Sequence, residues 1–140
     1  MKETLLTVLE NTRLADGIYR LRLAGDTSAI TAPGQFVNLK LSGFFLRRPI
    51  SVCDWENGEV TLIYKVLGHG TEAMTGMAVG TALDVLTGLG NGFDLSRSGE
   101  HPLLVGGGVG IPPLYGLAKR LTAQGKRVTA VLGFNRKSEI

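Results

Sequence analysis

The sequence predicts a small antiparallel β barrel followed by one strand–helix–strand unit. Short apolar runs separated by turn residues fill the first part of the chain, which is typical of small all-β domains. The later part has an apolar run, a glycine cluster and a helical pattern instead. We therefore predict a barrel domain at residues 1–94 and an α/β unit at residues 95–140. The six predicted barrel strands are residues 4–10, 18–23, 36–41, 50–54, 60–66 and 82–86.

Two turns and one short helix are predicted between these strands. Asp16-Gly17 and Asn57-Gly58 are dipeptides typical of two-residue hairpins. A helix is predicted from Gly70 to about Met77. Thr71 is expected at its N-cap, where a hydroxyl can accept a hydrogen bond from a free main-chain N–H group.

The second unit begins in the segment HPLLVGGGVGIPPLYGLAKRL, residues 101–121. Pro102–Val105 predicts a short buried strand, and the leucines after Pro113 recur at helical spacing until Gly125. Glycines let the main chain approach a ligand closely, and the start of a helix favours a phosphate. The segment therefore predicts a nucleotide site, or alternatively a glycine turn needed only for tight strand–helix packing. A second strand is predicted at residues 127–134.

Composition excludes several classes of function. The 140 residues are 44% hydrophobic with a net charge of +3, and the basic residues occur as scattered pairs rather than as a stripe. This pattern argues against nucleic-acid binding. The single cysteine, Cys53, cannot form an internal disulfide and suits a reducing compartment. Neither a signal peptide nor a membrane span is predicted, so we expect a cytoplasmic protein.

The segment FFLRRPISV, residues 44–52, gives a second signal. A guanidinium followed by a strand that carries a serine can bind a diphosphate and present a hydroxyl to a flat ring. Arg48-Pro49-Ile50-Ser51 resembles the flavin motif Arg-x-x-Ser/Thr of the ferredoxin reductase family. Its Pro-Ile-Ser form is similar to that of the electron-transfer subunits of class B dihydroorotate dehydrogenase. The resemblance implies that Arg48 contacts the FAD diphosphate and that Ser51 lies beside the flavin ring.

Further segments match the family in the same order along the chain. Ile63-Tyr64-Lys65 and Gly68-x-Gly70-Thr71 resemble the next two FAD segments, with the helix start facing the diphosphate. The turn at residues 87–93 resembles Gly-Pro-Leu-Gly-x-x-Phe, with Gly88 in place of the proline. The glycine cluster resembles the family's pyridine-nucleotide turn. The cofactor-binding residues implied by the resemblance are Arg48, Pro49, Ile50, Ser51, Ile63, Tyr64, Lys65, Gly70, Thr71, Gly107, Gly108 and Gly110.

The resemblance implies an oxidoreductase component. FAD held by the barrel would exchange a hydride with NAD(H) and pass electrons toward a [2Fe–2S] cluster. The implied partner is a dihydroorotate dehydrogenase catalytic subunit of pyrimidine biosynthesis. A cluster needs several thiolates and this chain has only Cys53, so it does not ligate the cluster. We therefore expect an amino-terminal fragment of a longer subunit that is not a competent enzyme alone.

Several alternatives stay open from the sequence. The chain could be the small flavin subunit of another ferredoxin–NAD(P) oxidoreductase, or a binding module whose barrel holds no cofactor. The choice between NADH and NADPH is also open, because Asn135 and Arg136, rather than an acidic residue, follow the second predicted strand. His69 and His101 are expected in solvated or loop positions and Cys53 as a packed thiol. No cluster has the spacing of a metal site.

Overall fold

A computed structural model describes the whole chain, Met1–Ile140. The helices and strands in chain order are β1 (Lys2–Ala15), β2 (Ile18–Ala24), β3 (Phe36–Leu39), β4 (Arg48–Glu56), β5 (Glu59–Lys65), α1 (His69–Met74), β6 (Ala82–Leu89), β7 (Leu103–Gly107), α2 (Pro112–Ala123) and β8 (Thr129–Gly133). Short 3-10 turns occupy Leu95–Arg97, Gly108–Gly110 and Lys137–Glu139. None of the helices has the length and apolar character that a membrane span requires.

The first six strands form a closed barrel in the order β1-β2-β5-β4-β3-β6, and all the pairs are antiparallel. Strands β7 and β8 form a separate parallel pair. This arrangement confirms the fold class predicted from the sequence. The strands alternate between inward apolar and outward polar residues, so the closed sheet encloses one apolar core. The fifteen buried core residues are Leu6, Val8, Leu21, Leu23, Ile30, Val37, Leu39, Leu41, Val52, Val60, Leu62, Tyr64, Met74, Leu83 and Val85.

The two predicted hairpins differ in their turn geometry. Asn57 and Gly58 both have positive φ angles, 52° and 77°, as a type I′ turn requires. At the first hairpin only Gly17 is in the left-handed region, with a φ of 67°. Strand β1 has a register shift between Arg13 and Ala15, just before this turn. This shift changes how β1 enters the turn. Asp16-Gly17 therefore forms the predicted hairpin, but not with the type I′ turn seen at Asn57-Gly58.

The prediction for α1 was wrong in its bounds and its cap. The helix begins at His69 with Gly68 as the N-cap and ends at Met74. Thr71 is its third residue, and its hydroxyl reaches back to accept hydrogen bonds from the N–H groups of Leu67 (2.8 Å) and Gly68 (3.2 Å). A hydroxyl at the third helical residue reaches back to the N–H groups at and before the N-cap, whereas an N-cap hydroxyl reaches forward to those of the first turn.

Helix α2 packs on the β7–β8 pair and also on the barrel. Leu117 and Leu121 of α2 form a second buried cluster with Leu104 of β7. On the other side of α2, Gly116 lies against the main chain of β4. A Cβ at this position would be only 2.8 Å from the Cys53 carbonyl oxygen. The α/β unit is therefore docked on the barrel, a contact that the sequence did not predict.

Charged side chains reinforce this docking. The Lys119 Nζ lies 2.9 Å from the Asp54 Oδ2 and 3.2 Å from the Glu56 Oε2. The Arg120 guanidinium lies 3.5 Å from the centre of the Trp55 ring, a cation–π contact. Both cations come from α2, and all their partners from the last residues of β4.

Gly116→Ala should destabilise the protein although alanine favours helices. In an open helix the change would stabilise by about 0.5–1 kcal/mol. Here the added methyl meets the Cys53 carbonyl oxygen at 2.8 Å, so α2 must move away from β4. We expect a loss of roughly 1–3 kcal/mol in the free energy of unfolding, measured by urea denaturation. Thr122→Ala, at an exposed position of α2, is the control. Equal stabilisation by both substitutions would contradict the close packing at Gly116.

Candidate functional site

The adjacent arginines Arg47 and Arg48 have different environments. The Arg47 side chain is 19% exposed, and its Nη2 donates to the Glu3 Oε1 (2.8 Å) and the Asp84 Oδ1 (3.0 Å). Its Nη1 also donates to the Asp84 carbonyl oxygen at 3.2 Å. Arg47 is therefore neutralised by carboxylates and ties β1 and β6 to the segment before β4.

Arg48 has no acidic side chain within 4.0 Å of its guanidinium nitrogens. Its Nη1 donates to the Leu46 carbonyl oxygen at 2.5 Å, and its Cζ lies 5.0 Å from the centre of the Phe44 ring. No neighbouring carboxylate offsets the positive charge of this guanidinium. Arg48 is thus positioned to bind an anion.

The guanidinium of Arg48 lies on the first turn of α1. Gly70 is buried there, and a Cβ at this position would be 2.6 Å from the Arg48 Cζ. Only a glycine allows this approach, because any side chain would overlap the guanidinium. The structure therefore brings together Arg48 and Gly70, two positions that the sequence separates by 21 residues of chain.

A cavity of about 210 Å³ lies beside this contact. Its lining joins the start of β4, the end of β5, the approach to α1 and one residue of the glycine turn. Predicted site residues form most of the lining. The lining residues are Pro49, Ile50, Ser51, Ile63, Tyr64, Lys65, Leu67, Thr71 and Val109.

Tyr64 contributes to this cavity differently from its neighbours. Its side chain is 1% exposed, lies inside the barrel and stacks on Tyr19 with ring centres 5.5 Å apart. Its hydroxyl donates to the Asn11 Oδ1 at 3.0 Å. Burial raises the pKa of Tyr64 to about 12, against a smaller opposite effect of the Asn11 hydrogen bond. The Tyr64 side chain therefore belongs to the barrel core, whereas its neighbours Ile63 and Lys65 lie on the outer side of β5.

Lys65 has an acidic partner that the sequence did not indicate. Its Nζ lies 2.6 Å from the Glu139 Oε1, and the Glu139 side chain is 8% exposed. This hydrogen-bonded lysine holds the pKa of the Glu139 carboxyl below its usual range. The N–H group of Asp16 also donates to the Ser138 carbonyl oxygen at 3.2 Å. The turn Lys137–Glu139 is thereby attached to the barrel next to the cavity.

The glycines of the glycine turn differ in whether strand–helix packing requires them. A Cβ at Gly106 would be 2.6 Å from the Leu114 Cδ1, so this glycine serves close strand–helix packing. Gly107, Gly108 and Gly110 have no neighbouring atom that a Cβ would meet closer than 3.9 Å, so packing does not require them. They do not line the cavity beside Arg48, where only Val109 of this turn is found.

A second cavity of about 230 Å³ lies on the other side of Val109. Its lining includes Gly108 together with the hydrophobic residues Ile18 and Phe134. Ile63, Lys65 and Val109 line both cavities. The two cavities are therefore neighbours that share Ile63, Lys65 and Val109 as a common wall.

Cys53 and the two histidines take no part in this site. Burial raises the pKa of the Cys53 thiol to about 11, so at neutral pH it is not a thiolate. The His69 side chain is 96% exposed, with its Nδ1 3.8 Å from the Glu72 Oε2. The structure has no group of three or more His, Cys, Asp or Glu side chains that could hold a metal ion.

Comparisons with known proteins agree with these observations. No protein-family model matches the sequence. The whole chain is 45% identical to the electron transfer subunit of dihydroorotate dehydrogenase B (NAD(+)) from Bacillus pumilus, of which it covers 57%. A solved NADH-dependent reduced ferredoxin–NADP oxidoreductase has a TM-score of 0.87 and 31% identity, over 97% of this chain and 50% of that chain. Phthalate dioxygenase reductase shares the fold, with a TM-score of 0.79 and 23% identity, over 94% and 43% of the two chains.

These matches confirm the resemblance identified from the motifs. The chain spans a little over half the length of the curated relatives it matches, 57% and 58% for the Bacillus pumilus and Bacillus velezensis proteins. The agreement extends over all of its own length and includes both the barrel and the segment that follows. The chain is thus a homologue of the electron transfer subunits of dihydroorotate dehydrogenase B, with the fold of the ferredoxin reductases.

Proposed function

We propose that this chain binds FAD non-covalently at Arg48 and the adjacent cavity. The observation that carries the proposal is the contact between Arg48 and Gly70. An arginine without an acidic partner lies on the buried glycine of α1, beside a cavity lined by Pro49–Ser51. In this proposal Arg48 and the main chain at Gly70 hold the diphosphate.

The chemistry of the lining fits a flavin. A guanidinium can bind phosphate oxygens with two parallel hydrogen bonds, and Arg48 has no carboxylate to compete for them. The apolar side chains of Ile50, Ile63 and Val109 suit the faces of a planar ring. Ser51 offers a hydroxyl and Lys65 an ammonium group for the polar edge of that ring.

A third cavity favours FAD over FMN. It has a volume of about 590 Å³ and lies between α1, the segment before β4 and the start of β6. Phe44 lines it and also stacks under the Arg48 guanidinium, so the cavity begins next to the proposed diphosphate site. We place the adenosine half of FAD there.

FAD, when bound, supplies hydride and single-electron transfer, and the protein supplies binding and orientation. Arg48 would neutralise the diphosphate, and Ser51 would donate a hydrogen bond to the ring edge. Ile63 and Val109 would exclude water from the ring faces. Glu139 would reduce the charge that Lys65 brings to the site, since the two form an ion pair.

In a longer subunit such as the relative from Bacillus pumilus, this chain would supply the flavin part of an electron-transfer path. We propose NAD(H) as the electron donor or acceptor, with Gly107, Gly108 and Gly110 at the pyridine nucleotide, and a dihydroorotate dehydrogenase catalytic subunit as the partner. A [2Fe–2S] cluster would be held outside this chain. We also propose the boundary between the FAD-binding and nucleotide-binding domains at residue 94, and a cytoplasmic location.

The runner-up is a flavin subunit of another ferredoxin–NAD(P) oxidoreductase. It is favoured by the 31% identity to the solved NADH-dependent reduced ferredoxin–NADP oxidoreductase, and by Arg136, which follows β8 and could bind a 2′-phosphate. The 45% identity to the dihydroorotate dehydrogenase B subunit favours the first proposal.

The proposal is tested by the visible absorption spectrum of the purified chain and by chromatography of the released cofactor. We expect flavin bands and FAD as the released compound. A colourless protein that does not take up added FAD would overturn the proposal and would favour the cofactor-free binding module.

Gly70→Ala should weaken FAD binding without weakening the fold. Gly70 is outside the left-handed region, so alanine fits the helix and should stabilise it by about 0.5–1 kcal/mol. The new methyl would displace the Arg48 guanidinium from its present position. Loss of one well-placed hydrogen bond costs about 1 kcal/mol, roughly a fivefold weaker affinity in calorimetric titration. Gly76→Ala, where a Cβ meets nothing closer than 3.7 Å, is the matched control. Equal FAD affinities of the two variants would count against the diphosphate position.

A further inference from the structure

One side chain of β1 connects three parts of the barrel. The Asn11 Nδ2 donates to the main-chain carbonyl oxygens of Met74 (2.7 Å) and Met77 (3.3 Å) at the end of α1. Its Oδ1 accepts a hydrogen bond from the Tyr64 hydroxyl at 3.0 Å. A single amide group thereby joins β1, β5 and α1.

Helix α1 depends on such outside support. It has only six residues, a length at which an isolated helix is not stable in water. The last carbonyls of a helix have no partner within it, and α1 has no basic residue in its last turn. Asn11 is the one side chain that donates to the carbonyl oxygens of residues 74–77. Met74, with 0% exposure, packs into the barrel core beside this contact.

The elements that Asn11 joins are those that form the proposed cofactor site. The first turn of α1 carries Gly70, on which the Arg48 guanidinium lies. Tyr64 stands in β5 between Ile63 and Lys65, which line the cavity. A shift of α1 relative to β5 would therefore change the distance between the diphosphate contacts and the flavin cavity.

We propose that Asn11 is a positioning residue for the FAD site, holding α1 against β5 so that Gly70 stays beside Arg48 and the cavity. This inference rests on the proposed FAD binding. Asn11 itself does not line the cavity and does not touch the cofactor. Asn11 therefore affects the binding of ligands that contact both the diphosphate position beside Gly70 and the flavin cavity.

The test compares FAD with riboflavin, which has the flavin ring but lacks the diphosphate and the adenosine. For Asn11→Ala we expect FAD affinity to fall about tenfold and riboflavin affinity to stay within about twofold, both measured by titration of flavin fluorescence.

Thr87→Val is the control for a lost buried hydrogen bond. Thr87 is 0% exposed, and its hydroxyl donates to the Lys2 carbonyl oxygen at 3.2 Å, away from α1. The Thr87→Val variant should unfold at a lower urea concentration without a change in the ratio of FAD affinity to riboflavin affinity. Asn11→Asp is the second variant if Asn11→Ala does not fold, since its carboxylate cannot donate to the α1 carbonyls.

Two outcomes would overturn the inference. One is an Asn11 variant that unfolds at lower urea but binds FAD as tightly as the wild type. The other is an equal loss of FAD and riboflavin affinity, which would show a general effect on the barrel. A wild-type protein that binds riboflavin but not FAD would overturn the proposed function itself, and this inference with it.

Discussion

Replacing Arg48 by alanine should weaken FAD binding roughly ten- to hundredfold and leave the free energy of unfolding nearly unchanged. A hydrogen bond to a charged group contributes on the order of 1.5–3 kcal/mol, and the variant loses such a contact with the diphosphate. The fold loses little, because Arg48 forms no ion pair and its guanidinium makes one hydrogen bond within the protein, to the Leu46 carbonyl oxygen. Calorimetric titration with FAD and urea denaturation measure the two effects separately.

The neighbouring arginine provides the matched control. Arg47→Ala removes hydrogen bonds to Glu3 and Asp84 and should destabilise the fold by about 1–3 kcal/mol. The FAD affinity of its folded fraction should be close to that of the wild type. If Arg48→Ala binds FAD as tightly as the wild-type protein, the diphosphate is elsewhere and the assignment is wrong.

Gly88→Pro should be the most destabilising of the substitutions considered, although proline is the residue of the family pattern at this position. Gly88 has a φ of 68°, whereas proline is fixed near −65°. A Cβ there would also be 2.5 Å from the Ala29 carbonyl oxygen. We expect a loss of about 3 kcal/mol or more in the free energy of unfolding, measured by urea denaturation.

Gly99→Pro is the control that separates the effect of the positive φ angle from the effect of the close contact with Ala29. Gly99 has a similar φ of 65°, but a Cβ there meets no atom within 4 Å. Gly99→Pro should therefore lower the free energy of unfolding clearly less than Gly88→Pro does. A Gly88→Pro protein as stable as the wild type would show that the turn can adopt a proline conformation. In that case the departure from the family pattern would have no structural consequence.

The fold was predictable because its barrel strands alternate clearly over short distances. The largest boundary errors fall where this alternation fades. Strand β1 continues to Ala15 through the polar residues Asn11, Thr12 and Arg13, which resemble a loop in the sequence. Strand β6 continues to Leu89 through Gly88, which resembles a turn residue. In both places pairing with a neighbouring strand, rather than local preference, determines the structure.

The candidate site was predictable only as a set of segments. The motifs indicated which stretches come together, and the cavity beside Arg48 contains residues from the predicted segments around β4, β5 and α1. The sequence did not show that the Tyr64 side chain faces the core, or that Lys65 pairs with Glu139. These features depend on partners far away in the chain, such as Asn11 for Tyr64, and single-sequence patterns do not report such pairs.

The proposed FAD site is tested most directly by calorimetric titration of the cofactor-free chain with FAD and, separately, with FMN. We expect saturable binding of one FAD per chain. We also expect weaker binding of FMN, because FMN has one phosphate and no adenosine for the cavity beside Phe44. Tight binding of FMN with no affinity for FAD, or no binding of either flavin, would contradict the assignment of Arg48 and its cavity as an FAD site.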